Sequence, residues 1–323
     1  MDLYQATEEY VSKMPVMQSW PELQELFTRM ASARPKHWEL PLYACKAVGG
    51  STAQAIPAVA AVACAQISII LIDDMLDEDP RGEYHHQGSA RAANYASGLQ
   101  AAAFEALHSK MKLDVRLSVF YNLNRMILTT TLGQHLDTQT LPNEKAYWRV
   151  VENKSAPFFG AAFYVGALAG GASPKVAEEL EKLGRQYGKM IQVHDDLNDV
   201  MKTPANPDWT QGRSPLPILF AQLVNHPDRA RFLELRRNIT APEALAEAQD
   251  ILVRCGAISY CVDRLLRRYQ TARKTLNTLL VERREIMDEL LQEVIAPVER
   301  IFAEIGQALP ESTMPTTVRN LVQ

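Results

Sequence analysis

Cysteine is scarce and scattered. The chain has 323 residues and four cysteines, Cys45, Cys64, Cys255 and Cys261, none of them in a Cys-x-x-Cys pair. This excludes a disulfide scaffold and a cysteine-built zinc module, and it fits buried thiols in a reducing, cytoplasmic setting. No sign of charge dominates: the net charge is −4 and the isoelectric point is near 6.0, so nothing directs the chain to nucleic acid. An anionic substrate then needs metal ions to supply positive charge. No alternation with a period of two persists, which argues against a sheet. Met1-Asp2-Leu3-Tyr4-Gln5 shows no basic segment followed by an apolar run, so no signal peptide is expected. Long hydrophobic runs are also lacking. The longest, Ile56 to Ile72, is interrupted by Pro57 and Gln66 and ends in Asp73-Asp74, so a buried core helix is expected rather than a membrane span.

What remains is helix almost throughout. Turn signals such as Gly49-Gly50-Ser51, Asp79-Pro80-Arg81-Gly82, Leu141-Pro142-Asn143 and Gly170-Gly171 are sparse and cut the chain into long helical segments. Pro57–Ile72 and Pro157–Ala169 are apolar on nearly every face, as expected of helices in the middle of a bundle. Ala241–Leu252 and Val262–Leu291 are amphipathic and rich in Arg and Glu, as expected of an outer layer. Arg267-Arg268 and Arg283-Arg284 read there as surface ion pairs rather than a binding patch. The expectation is one all-α bundle over residues 1–311, followed by a frayed tail, Ser312–Gln323.

One motif occurs twice: Asp73-Asp74-Met75-Leu76-Asp77 and Asp195-Asp196-Leu197-Asn198-Asp199. On a helix, residues i, i+1 and i+4 lie within about 100° of arc, so each trio is expected to project from one face. Three neighbouring carboxylates repel one another unless a cation sits among them, and oxygen ligands of this kind suit magnesium shared with substrate phosphates. Apolar sequence precedes both trios, Ile67–Ile72 and Met190–Val193, which suits a pocket with a charged mouth and an apolar shaft. A solvated helix end explains one such cluster; two, each after a buried run, point to a shared site.

Five further segments, in order, complete a resemblance to the trans-isoprenyl diphosphate synthases over nearly the whole chain. Gly49-Gly50 resembles the turn before the family's first aspartate helix. Gly133-Gln134-His135-Leu136-Asp137 resembles its Gly-Gln-x-x-Asp, and Asn153-Lys154-Ser155 its Lys-Thr. Gln192 with Asp195–Asp199 resembles its second aspartate motif, and Asp208 through Gly212-Arg213-Ser214-Pro215-Leu216-Pro217 the segment that follows. The resemblance implies a helical bundle of the isoprenoid-synthase type with a central cavity, a homodimer, and magnesium, about three ions with substrate bound. It implies that Asp73, Asp77 and Asp195 hold metal, with Asp74, Asp196 and Asp199 as further ligands or their support. Lys154 and Gln192 join the catalytic set. Arg81, Lys154 and Lys202 are candidates to bind diphosphate. Ser68, Ile69 and Ala65, with Gln134 and Asp137, are candidates to line the cavity. Taken singly, the cations read as surface residues and the glutamines as satisfied buried groups; the ordered set of motifs favours the site.

The family's Gly-Gly-Lys-x-x-Arg-Pro, which grips isopentenyl diphosphate, is not matched. Pro35-Lys36-His37-Trp38-Glu39-Leu40-Pro41 carries His37 and Leu40 at the Lys and Arg positions, and after the first motif Pro80-Arg81-Gly82 keeps one arginine where the family has two. Arg34, Lys36 and His37 are the available substitutes. The expected function is prenyl transfer from an allylic diphosphate, with chain elongation by isopentenyl diphosphate first. Transfer to another acceptor, cyclisation, or service as a silent subunit of a heteromeric synthase are the alternatives. Ser68 and Ala65 are small, so the accepted or formed chain is expected to be longer than farnesyl.

Overall fold

The structure is a computed structural model that describes residues 2–107 and 113–304. The tail Ser312–Gln323 lies outside the described residues, as does the boundary drawn at residue 311. Helices follow one another along the chain, with no strand among the described residues. The all-α expectation therefore holds. One boundary is corrected. Val262–Leu291 is not continuous: Ala257–Thr278 ends before a short extended link, and a second helix starts at Arg284.

The centre of the bundle is Ala156–Ala169, whose residues from Ala156 to Leu168 are all buried. It packs chiefly against Pro174–Val200, Leu40–Ala47, Leu113–Asp137 and Thr52–Leu76. An all-apolar helix with neighbours on every side is the arrangement its composition dictates. Gly184 allows Pro174–Val200 to approach closely: a Cβ there would lie 2.5 Å from the carbonyl oxygen of Phe159.

Both aspartate helices are fixed at their starts. Thr52–Leu76 begins with a capping box in which the Ser51 hydroxyl accepts from the Gln54 amide and Gln54 Oε1 accepts from the Ser51 amide at 2.9 Å. Its most apolar stretch is long enough to cross a membrane, but 72% of that stretch is buried in protein. Pro174–Val200 starts with a Ser173 cap and Pro174 in its first turn. The two helices thus carry their aspartates at the same end of the bundle, where the chain leaves the core. Cys45, Cys64 and Cys261 are buried and all four cysteines are free.

Candidate active site

Asp73 and Asp77, one helical turn apart, line a cavity of about 270 Å³ together with Asp137, Asp195, Asp196, Asp199 and Asp208. Leu141, Val150, Val151 and Pro215 form its apolar wall, and Lys154 and Arg213 are its cations. Seven aspartates against two cations leave a formal excess of five negative charges. Burial and the neighbouring Asp73 raise the carboxyl of Asp77, and burial with Asp199 pushes Asp208 up to about 6.

Lys154 occupies the middle of this charge. Its Nζ lies 2.7 Å from Asp137 Oδ2 and 2.9 Å from Asp73 Oδ1, so one ammonium joins the ends of three helices. Burial disfavours its charge, but Asp137, Asp73 and Asp77 outweigh burial and hold its pKa above the ordinary lysine value. Gly133 makes the placement possible. A Cβ at this position would lie 2.1 Å from the Lys154 backbone nitrogen, so Leu113–Asp137 passes directly over the end of Glu144–Lys154. Gly133→Ala must push that turn aside. We expect a stability loss of about 1–3 kcal/mol and a turnover loss larger than that of an alanine placed at exposed Thr131, checked by thermal unfolding and steady-state rates.

Arg213 was not singled out from the sequence. It reaches back across the mouth, with Nη2 on an Asp77 carboxylate oxygen, Nη1 3.5 Å from Asp137 Oδ2, and Nε donating to Gln211 Oε1. Gln211 in turn donates to the Asp77 carbonyl. The segment after the second motif therefore clasps the first. The signal was present in Gly212-Arg213, which stands where the family carries Gly-Lys, but the match alone gave it no role.

The two trios do not present three equivalent ligands. Asp74 does not line the cavity, whereas Asp196, at the same place in the second motif, does. Burial and the charges of Asp79, Asp73 and Asp77 push its carboxyl up to about 6. Asp196 is buried and engaged: Tyr147 Oη donates at 2.8 Å, the Leu216 amide at 2.9 Å and Gln192 Nε2 at 2.9 Å. Burial pushes its carboxyl up to about 7 against these three donors. Ser155 donates to Gln192 Oε1, so Gln192 links Ser155 to Asp196. Asp196 and Gln192 both line the cavity and are hydrogen-bonded to one another, and Tyr147, which no motif indicated, lines it as well. Asp195 is more than half exposed, and Asp199 pairs with Lys202.

The other expected residues divide. Gln134 is buried and donates to the Ile69 carbonyl at 3.1 Å, tying two helices together. Ser68 and Ala65 are buried, and Ser68 Oγ has no hydrogen-bond partner among the described residues. Arg81 forks onto Asp79 and does not line the cavity, whereas Arg213 does. Leu40 is buried, Arg34 is held by Asp2, and His37 pairs with Gln66 and stacks edge-on to Phe159. Burial lowers the His37 pKa. A second cavity of about 290 Å³ meets Lys36, His37, Tyr43, Tyr187, Glu39 and Glu293, with His194 at its side.

An all-α bundle that sets two aspartate helices around one acidic cavity defines a class of enzymes acting on diphosphates. The polyprenyl synthetase family profile matches residues 24–252, and the chain belongs to that family. A short chain isoprenyl diphosphate synthase of Methanothermobacter thermautotrophicus is 27% identical over 74% of this chain and 78% of its own. A geranylfarnesyl diphosphate synthase of Aeropyrum pernix is 25% identical over 80% and 88%. Among solved structures, geranylgeranyl pyrophosphate synthetase from Pyrococcus horikoshii superposes with a TM-score of 0.79 at 21% identity, covering 90% of this chain and 95% of its own. The protein is a prenyltransferase of this family.

The donor set fits hard divalent cations, being carboxylate oxygen throughout. Among the described residues no three of these carboxylates already converge on a metal position. Lys154 and Arg213 hold Asp73, Asp77 and Asp137 instead.

Proposed function

We propose that the enzyme is a magnesium-dependent trans-prenyl diphosphate synthase that joins an allylic isoprenyl diphosphate to isopentenyl diphosphate. The observation that carries this is the pairing of Asp73 and Asp77 with Asp195 and Asp199 around one cavity that also holds Lys154 and Arg213. Magnesium held by Asp73, Asp77 and Asp195 would neutralise the diphosphate leaving group. Lys154, as a point charge, and Arg213, as a fork, bind the same phosphates. The allylic C–O bond breaks with its electron pair leaving on diphosphate. The alkene of isopentenyl diphosphate attacks the allylic carbon, and loss of a proton completes the new double bond. The apolar wall keeps water from the cation.

A second reading, transfer to an acceptor other than isopentenyl diphosphate, is favoured by the second cavity, where Lys36 faces Glu39 and Glu293 and no arginine stands at position 40. Diphosphate release from farnesyl diphosphate with magnesium, with and without isopentenyl diphosphate, separates the readings. Release only with isopentenyl diphosphate supports elongation. Release without it, yielding a hydrocarbon or alcohol, indicates cyclisation or hydrolysis and sinks elongation. No release under either condition indicates a different acceptor or a silent subunit.

The tail of the allylic chain runs along Thr52–Leu76 away from the metals, past Ser68 and Ala65, and the product is longer than farnesyl. Ser68→Phe puts a ring where a small buried side chain stands, so the product should shorten, at a cost of about 1–3 kcal/mol in stability. An unchanged product profile from a folded variant, read by chromatography, removes the length argument.

The working state is a cytoplasmic homodimer. Leu117, Tyr121 and Leu128 are 63%, 70% and 64% exposed along one stripe of Leu113–Asp137, continued by Leu132. Such a stripe on a helix that also carries Gln134 and Asp137 calls for cover. Leu117→Asp with Leu128→Asp should convert dimer to monomer in light scattering; an unchanged mass places the interface elsewhere.

A further inference from the structure

The largest concavity among those described is not the acidic site. It is a groove of about 1080 Å³ between the start of Glu144–Lys154 and the face of Ala257–Thr278. Its character is opposite to that of the catalytic cavity and of the whole chain. Lys145, Arg149, Arg264 and Arg268 line it, against Glu144 and Glu152.

Both carboxylates are already committed. Glu144 is buried, accepts from Trp148 Nε1 at 2.7 Å and from Tyr260, and pairs with Arg264 Nε at 2.9 Å. Glu152 pairs with Lys189 at 2.9 Å. Arg268 lies with its guanidinium 4.3 Å over the Trp148 ring, and burial lowers its pKa. Among the described residues neither Arg268 nor Lys145 nor Arg149 has a carboxylate within 4.0 Å. Arg267 next to it does pair, with Asp263 at 2.7 Å. The reading of Arg267-Arg268 as two surface ion pairs is therefore corrected for Arg268. A desolvated guanidinium that finds only an aromatic face is a cation prepared for an anion. The Glu144–Lys154 helix also begins at this groove, which adds its positive end.

We propose that this groove is a second, non-catalytic binding site for a diphosphate group. Arg149 and Arg268 provide forks for its oxygens, Lys145 a point charge, and Trp148 an apolar wall beside it. Two sources share that chemistry: the inorganic diphosphate released in prenyl transfer, and the diphosphate head of a prenyl product. The site lies close enough to matter. Trp148 packs edge-on against Tyr147 at 5.1 Å, and Tyr147 donates to Asp196. An occupant is thus two side chains from the second aspartate motif. Binding at the groove does not depend on which acceptor the active site uses.

The test is calorimetric titration of the metal-stripped full-length enzyme with sodium diphosphate, at constant ionic strength. Without metal the acidic cavity repels diphosphate. The expected result is saturable binding that weakens at least tenfold in Arg149→Ala/Arg268→Ala, while turnover under subsaturating product stays at the parent rate. If loss of the Arg268 stack prevents folding, Lys145→Gln/Arg149→Gln, both at exposed positions, provides the same comparison. Tighter binding of geranylgeranyl diphosphate than of inorganic diphosphate, with the same loss in the variants, identifies the prenyl product as the occupant. Equal binding identifies the released leaving group. No saturable binding, unchanged affinity in the variants, or equal competition by sulfate overturns the proposal.

Discussion

Asp73→Ala or Asp195→Ala is expected to lower turnover about a thousandfold or more and to leave the fold standing. Metal neutralisation of a leaving group contributes several kcal/mol to the barrier, and each ~1.4 kcal/mol is a factor of ten. Nothing comparable is lost in stability. Asp195 is more than half exposed and its ion-pair contact is His194 at 3.9 Å, so removing it relieves repulsion within the second motif. Asp73 gives up one partner of Lys154, which keeps Asp137. Steady-state rates at saturating magnesium, with melting curves on the same samples, check both halves. A variant that turns over at near-parent rate disproves the metal assignment.

Lys154→Met should fail in a different way. It removes the ammonium that stands between Asp73 and Asp137, close to Asp77, and leaves only Arg213 against that group. Stranding the partners of a largely buried ion pair costs about 3 kcal/mol or more, and loss of a phosphate-binding cation costs turnover about a hundredfold. The two losses separate by their response to magnesium. A divalent cation can neutralise the stranded carboxylates, so added magnesium should recover much of the lost melting temperature and little of the lost rate. Equal melting temperatures for parent and variant in metal-free buffer would show that Lys154 does not hold the carboxylates together. Lys154→Arg is not a mild control, since a planar fork cannot replace a point charge shared by two helix ends.

These outcomes rest on features that the sequence displayed unevenly. The bundle was legible because helix periodicity and all-apolar segments such as Pro157–Ala169 are local properties, and Ala156–Ala169 is indeed the centre. The two aspartate motifs were legible because their spacing is chemical information. Which of Asp74, Asp196 and Asp199 is a further ligand and which a support is not written in the motif. Asp74 and Asp196 hold the same place in their motifs, but only Asp196 lines the cavity, where Tyr147, the Leu216 amide and Gln192 donate to it; that difference comes from the neighbouring helices. The pairing of Lys154 with Asp137 and Asp73, and the return of Arg213 to Asp77, join positions far apart in the chain. They arise from how helices cross, which periodicity does not encode. Gly133 was visible only as part of a motif; the steric reason for it appears once the end of Glu144–Lys154 is seen beneath it. Arg268 was misread for the same reason, since its partner is an aromatic ring on another helix.

The hydrogen bonds around Asp196 have a consequence for how this end of the molecule moves. The Leu216 amide donates to a carboxylate that Tyr147 and Gln192 also hold, inside the core. That amide can meet solvent only when three segments of chain part together, so its exchange for deuterium should be nearly as slow as that of the central helix. The amides of Lys202, Thr210 and Gln211, on exposed residues beyond the same helix, are held only by local turn bonds to Asp199, Asn206 and Pro207, and should exchange faster. The acidic edge therefore joins a part tied to the global unfolding unit to a part held by local turns and by the bonds of Gln211 and Arg213 to Asp77.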